Sequence, residues 1–135
     1  MKILIVGHGE YATGIKSAIK LLTGVSNNID AINLNEDYTV MVQEYVANNK
    51  DLIIFADMTG GAPFQIASRE ILLNEASENQ FVIGGVSVGC ILEVVMNTLV
   101  LNVEDELKNI INTAVNNIQN MTSIVCRKDL VSQEI

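Results

Sequence analysis

The residues best suited to chemistry fall in two short stretches. The first is Met1-Lys-Ile-Leu-Ile-Val-Gly-His8-Gly9, whose imidazole is the only histidine in 135 residues. Gly7 and Gly9 let the main chain turn sharply and leave the ring between them uncovered. The second is Asp57-Met-Thr-Gly-Gly-Ala-Pro63, a carboxylate followed by a glycine-rich turn. A carboxylate bound to one ring nitrogen of a histidine fixes its tautomer and makes the other nitrogen more basic, which suits a nucleophile or a general base. Successive N–H groups in Gly60-Gly61-Ala62-Pro63, backed by the positive end of a following helix, form an anion-binding nest. Nucleophilic nitrogen, orienting acid and anion cradle together point to phosphoryl transfer, where positioning and charge stabilisation do most of the catalysis. Neither loop contains Lys or Arg, so main-chain amides must hold the anion. Taken singly, each part has a plainer use: a surface histidine, an Asp that caps a turn, a tight connection. Their meeting at two strand ends is what carries the reading.

Elements that would bring the two stretches together are legible in the pattern. Ile3 to Val6 is an apolar, partly β-branched run bounded by glycine, the signature of a strand buried on both faces. Tyr11, Ile15, Ala18, Ile19 and Leu22 recur at helical spacing, and Gly24 supplies the left-handed stop. Ile29 to Leu34 reads as a second strand, and a helix from about Tyr38 to Asn48 has Asp37 as candidate N-cap. Asp51 to Asp57 is a third strand with an apolar centre. Pro63 marks the first position of a helix running to about Glu75. Phe81 to Val86 is a fourth strand, followed by helices at about Cys90 to Leu101 and Val103 to Asn120. Thr122 to Cys126 reads as a last short strand, able to pair within the chain or on another subunit's edge. Alternating strands and helices predict a doubly wound three-layer α/β sandwich, its first four strands parallel. Ligands in such sheets bind beyond the carboxyl ends of the strands, where His8 and Asp57 both fall.

Bulk properties narrow the function. The length fits one domain, 1–135, and 49% hydrophobic against 18% charged residues argues for a packed core. A net charge of −8 disfavours nucleic acid or an anionic membrane surface as partner. The apolar stretch after Lys2 stops at Gly7, too soon for a signal peptide, and no segment has the length of a membrane span. Cys90 and Cys126 lie far apart without metal spacing and read as two buried thiols in a reducing cytoplasm. No metal site is expected.

A competing motif is Gly7-His-Gly9-Glu-Tyr-Ala12, which fits the G-x-G-x-x-G/A dinucleotide pattern after a first strand. Against it, Glu10 would crowd a pyrophosphate, no acidic residue clearly ends the second strand, and the chain lacks a second half. No P-loop is present. A non-catalytic regulatory or dinucleotide-binding α/β domain is the alternative from another class.

Ile-Val-Gly-His8-Gly9, Ala56-Asp57-Met-Thr-Gly60-Gly61-Ala-Pro63-Phe64 and Gly84-Gly85-Val86-Ser-Val-Gly-Cys-Ile-Leu92-Glu93 resemble the IIA component of the mannose-family sugar phosphotransferase system. The resemblance spans nearly the whole chain. It implies a cytoplasmic phosphocarrier acting without metal or organic cofactor. His8 would take a phosphoryl group on Nε2 from the histidine-containing phosphocarrier protein and pass it to a IIB component, which serves the IIC and IID membrane subunits. Asp57 would orient His8, and Gly9, Thr59, Gly60, Gly61 and Ala62 would cradle the phosphoryl group. The resemblance further implies a homodimer, strand order 2-1-3-4, and an antiparallel last strand, about 122–128, exchanged between subunits. The phosphocarrier subunit of a dihydroxyacetone kinase is a related alternative; the Gly-Gly-Ala-Pro-Phe block favours the sugar system. Departures from the family form Asp-x-x-Gly-Gly-(Ser/Thr)-Pro-Phe-Asn are Ala62, which lacks a hydroxyl able to cap the helix (worth about 1 kcal/mol) and donate to phosphate, and Gln65 for Asn. Ser87, Gly89 and Cys90 stand in a segment that commonly reads Asn-x-Pro-Met.

Overall fold

Four strands, apolar except for Lys2, Asp30, Asn33 and Gln80, form the centre of the molecule. The structure, a computed structural model, describes residues 1–128. Strand β1, Lys2–Gly7, and β3, Leu52–Ala56, are buried along nearly their whole length, as their unbroken apolar runs require. Strands β2 (Ile29–Asn33) and β4 (Gln80–Gly84) flank them and are less covered. All pairings are parallel, and the order is β2-β1-β3-β4. The register sets Ile3 opposite Ile29 and Ile53, and Val6 opposite Ile32 and Ala56.

Successive strand side chains point to opposite faces, so each central strand feeds two cores. Ile3, Ile5, Ile53 and Phe55 pack with Ala12 and Ile19 of helix α1 (Tyr11–Thr23) and with Ile91, Val94 and Val95 of α4 (Val88–Val95). Helix α5 (Leu107–Met121) adds Ile111 and Ala114 to this layer. Leu4, Val6, Ile54 and Ala56 pack on the other side against Tyr38, Val42 and Val46 of α2 (Tyr38–Asn48) and Ala67 of α3 (Ala62–Leu73). The result is the three-layer, doubly wound α/β sandwich that the pattern predicts. No helix among the described residues is long and apolar enough to cross a membrane.

Three expectations need correction. Asp37 does occupy the N-cap position of α2, but its side chain makes no capping bond; its N–H instead donates to Asn35 Oδ1 at 2.8 Å. Helix α4 passes into a π-helical turn, Met96–Val100, and α5 starts at Leu107 rather than Val103. Asn102 lies between them in the left-handed region with φ 48°, at the position where the sequence divides the two helices. Cys90 is buried, but Cys126 is exposed.

The last strand is the fourth difference. Among the described residues no strand follows α5, and Thr122 to Cys126 is exposed and unpaired with the sheet. Thr122 has extended backbone (φ −91°, ψ 122°), and Ile124 and Val125 are 89% and 78% exposed. A strand without a neighbouring edge has nowhere to place its N–H and C=O groups, so its β-branched residues alone do not make it one.

Phe55 is fully buried at the centre of the first core. Phe55→Ala should cost about 3–5 kcal/mol, seen as a lower midpoint in urea unfolding with little change in slope.

Candidate functional site

The sheet register determines where the two loops meet. Val6 is paired with Ala56, and Asp57 N–H donates to Val6 O at 3.2 Å, one rung further. Asp57 therefore stands level with Gly7, and His8 stands one residue beyond. The chain leaves β1 through α1 toward β2 on one side, then crosses through α2 to β3 on the other. The β1–β3 boundary is thus the topological switch point, where the two departing loops open a crevice. His8 and Asp57 stand on its two sides.

They are in direct contact. His8 Nδ1 and Asp57 Oδ2 are 2.7 Å apart, and the His8 main-chain N–H donates to the same oxygen at 2.9 Å. The second oxygen, Oδ1, accepts the Met58 N–H at 2.9 Å. An ionised carboxylate only accepts, so Nδ1 is the protonated nitrogen of the neutral ring and Nε2 carries the lone pair. The His8 side chain is 46% exposed and that of Asp57 only 14%. One partner faces the solvent while the other is held beneath it. Burial alone would raise the Asp57 carboxyl. The hydrogen bonds from the His8 N–H and ring, the charge on His8 when protonated, and the Met58 N–H outweigh it and hold Asp57 below its ordinary 3.8.

Glycine is needed where the two loops approach closely. A Cβ on Gly7 would come within 2.6 Å of Tyr11 Cδ1 and 3.1 Å of Asp57 Cβ. One on Gly61 would come within 3.0 Å of His8 Cε1 and of Met58 Cγ, so the glycine-rich turn lies against the ring edge between its two nitrogens. Gly60 turns the chain there with φ 85°, and Gly9 does so on the other loop with φ 55°.

Of the cradle residues predicted from sequence, Gly61 is brought against the ring, and Gly60 and Ala62 flank it at the start of α3. Gly9 follows His8 directly. Thr59 is turned differently. Its Oγ1 lies where a Cβ on Gly84 would be, 2.6 Å away, so the hydroxyl faces the end of β4. Position 62 also needs correction. Gly61 is the N-cap and Ala62 the first helical residue, so a hydroxyl at 62 would sit inside the helix start rather than cap it. The N–H groups of Gly60 and Ala62 donate to no acceptor among the described residues, in keeping with the orphan donors of a helix N-terminus. The described residues hold no cluster of three or more His, Cys, Asp or Glu able to bind a metal.

Other contributors escape sequence reasoning. Tyr38, at the start of α2, donates its phenol to Pro63 O at 2.7 Å and ties α2 to the beginning of α3. Burial raises its pKa, as does nearby Asp57; Tyr11 is shifted the same way for the same reasons. Tyr11 belongs to the core on one face of the sheet and Tyr38 to the core on the other. As helix-face residues they gave only a core signal. Gln65 reaches back to Gly60 O at 2.7 Å, a contact no periodicity could reveal. Asn33, at the end of β2, bonds through its amide to the main chain and hydroxyl of Thr13. The position where a dinucleotide-binding domain would need a free carboxylate is thus a structural link.

A parallel sheet of order 2-1-3-4 with a histidine–carboxylate pair at its switch point defines the class, an α/β domain built to present one imidazole. The family model for the fructose IIA component of the phosphotransferase system, EIIA of the mannose type, matches residues 2–112. The chain belongs to this family, whose members serve phosphoryl transfer in sugar uptake. Solved structures share the fold. The phosphotransferase component EIIA from Streptococcus agalactiae is 22% identical, with a TM-score of 0.78 over 91% of this chain and 95% of that one. The mannose/sorbose-specific IIA subunit from Enterococcus faecalis is 17% identical, with a TM-score of 0.69 over 93% and 94%. The IIA protein associated with the fucose utilization operon of Streptococcus pneumoniae is 20% identical, with a TM-score of 0.69 over 98% and 94%. No curated protein matches the sequence.

Two outcomes test this geometry. A Cβ at Gly84 would meet Thr59 Oγ1 at 2.6 Å, Thr59 Cα at 2.9 Å and Phe64 Cδ2 at 2.8 Å, so main chain must move. Gly84→Ala should cost about 1–3 kcal/mol and shift the amide resonances of the 58–62 turn; an unperturbed turn would contradict the packing described. The second outcome concerns acid. Folding lowers the Asp57 pKa, so its ionised form stabilises the protein above the ordinary carboxylate range, and that contribution is lost as pH falls through the lowered value. Thermal midpoints of the wild type should therefore fall more steeply below about pH 4 than those of Asp57→Asn.

Proposed function

We propose that this chain is a phosphohistidine carrier of a sugar phosphotransferase system, with His8 as the phosphoryl acceptor and Asp57 as the residue that orients it. The observation that carries the reading is the 2.7 Å contact between His8 Nδ1 and Asp57 Oδ2 on an imidazole that is 46% exposed. Asp57 occupies one nitrogen, which leaves the other as the nucleophile.

In the forward step the Nε2 lone pair forms a bond to phosphorus as the donor's N–P bond breaks. The electron pair of that bond returns to the donor imidazole. The Nδ1 proton stays on the hydrogen bond to Asp57 throughout, so this chain neither gains nor loses a proton in the transfer. As Nε2 becomes bonded to phosphorus the ring gains positive character, and the adjacent carboxylate stabilises it. The phosphoryl oxygens are held by main-chain N–H groups of the 59–62 turn and by the positive end of α3, with Gly9 on the opposite loop. Transfer onward is the reverse of the same step, with a histidine of the acceptor as nucleophile.

The donor in this reading is the small histidine-containing phosphocarrier protein and the acceptor is the IIB component, which passes the phosphoryl group to a sugar entering through the IIC and IID subunits. The setting is the cytoplasm. Two copies form a homodimer in which the exposed Thr122 to Cys126 segment joins the partner's sheet as an antiparallel edge strand.

Incubation with phosphoenolpyruvate, the first enzyme of the relay and the small carrier should give an acid-labile, base-stable phosphoprotein. His8→Ala should take no label, and equal labelling would place the phosphoryl group elsewhere. Asp57→Ala should fold and still label, with transfer slowed roughly 10- to 100-fold, the usual cost of losing the partner that orients a histidine. Efficient transfer to a dihydroxyacetone kinase but not to a IIB component would assign the same chemistry to the related system.

A further inference from the structure

Gln65 is exposed on the first turn of α3, where a side chain is not needed for packing. It nevertheless makes two hydrogen bonds to consecutive carbonyls. Its main-chain N–H donates to Gly61 O at 2.9 Å, the ordinary helical bond. Its side-chain Nε2 donates to Gly60 O at 2.7 Å, a bond the helix does not require. Both carbonyls of the Gly60-Gly61 pair are therefore drawn toward α3.

The peptides of the described chain are trans, and in a trans peptide the N–H points opposite to the C=O. With Gly60 O and Gly61 O turned toward α3, the N–H groups that follow them, on Gly61 and Ala62, point away from the helix body. His8 Cε1 lies against this turn, 3.0 Å from where a Gly61 Cβ would be. The Gly60-Gly61 peptide is also the softest in the turn. Neither residue has a Cβ, so rotation of that peptide plane meets little steric resistance. Rotated, it would present a carbonyl oxygen instead of an N–H to an anion on the ring, which is repulsive.

We propose that Gln65 is a positioning residue for phosphoryl transfer: by holding the Gly60 carbonyl it locks the Gly60-Gly61 peptide with its N–H side toward the phosphoryl group on His8. This rests on the phosphohistidine reading. Gln65 acts through the peptide and does not itself touch the phosphoryl group. The turn carries no cation, so the direction of its amides decides whether the cradle attracts or repels an anion.

Two variants separate the role from a structural one. Gln65→Leu keeps volume and removes the donor; Gln65→Glu keeps shape and sets a carboxylate against the Gly60 carbonyl. The experiment measures single-turnover transfer from the phosphorylated small carrier over a range of donor concentrations, with amide spectra before and after phosphorylation. Both variants should transfer about tenfold more slowly at saturating donor, the low end of the usual loss for an orienting partner. The donor concentration giving half-maximal rate and the thermal midpoint should be unchanged. The phosphorylation-induced shifts of the Gly61 and Ala62 amides should shrink in both. Wild-type rates and shifts in both variants would overturn the proposal. So would a loss confined to the half-maximal concentration, which would make Gln65 a docking contact, or slower transfer with unaltered amide shifts. If the wild type itself takes no label on His8, the functional reading fails first and separately.

Discussion

The hydrogen bond between His8 and Asp57 joins residues 49 positions apart, and nothing local in the chain brings them together. It exists because β1 and β3 are neighbours in one particular register, Val6 opposite Ala56. Slippage by one residue would send every side chain of a strand to the other face. Here it would push Ile3, Ile5, Leu4 and Val6 into each other's cores and carry His8 away from the carboxylate. The apolar interior thus enforces the site's geometry without touching it. Positional accuracy of a few tenths of an ångström at the rim is drawn from the packing of the strands below.

The proposed anion cradle rests on the opposite principle. Where His8 and Asp57 are side chains delivered by rigid strands, the cradle is main chain delivered by glycines. Gly61 can lie against the imidazole because it has no Cβ, and Gly84 admits Thr59 for the same reason. Main-chain N–H groups attract an anion without the full charge of a lysine or arginine. For the proposed carrier, which would have to release what it accepts, this moderation is useful. A buried cation would deepen the bound state, whereas oriented neutral dipoles would stabilise a transferring group while leaving both directions of transfer open.

How much of this was legible in the sequence follows from the range of each interaction. Buried parallel strands announce themselves as unbroken apolar runs, so β1, β3 and the placing of His8 and Asp57 at their ends can be read directly. Helix α1 carries a stripe and a stop signal at Gly24, and α3 a start signal at Pro63. The break at Asn102 was legible as the gap between two helical stripes, but the π-helical turn before it and the later start of α5 at Leu107 were not, because they leave the apolar spacing intact. Thr122 to Cys126 has the residues of a strand but not the edge that would make it one, and composition cannot supply a neighbour. Tyr38 and Gln65 were missed for another reason. Their hydrogen bonds run to main-chain carbonyls, which every residue possesses, so no residue type marks the acceptor.

The same asymmetry explains how a family-like site can hold substitutions in its own signature block. A cradle made of N–H groups asks of positions 60 to 62 only a backbone path: left-handed φ at Gly60, no Cβ at Gly61, and a helix start at 62. Ala62 meets the last demand as well as Ser or Thr, since the cap is Gly61 and any hydroxyl at 62 would lie within the first turn. Gln65 meets its own by reaching a carbonyl, which depends on side-chain length and an amide donor rather than on one residue type. His8 and Asp57 have no such freedom. Their bond needs an imidazole that keeps a lone pair at the far nitrogen and an acceptor that stays ionised beneath it. In the proposed reading the chemistry is therefore concentrated in two side chains, and the remaining requirements fall on backbone geometry that several sequences can satisfy.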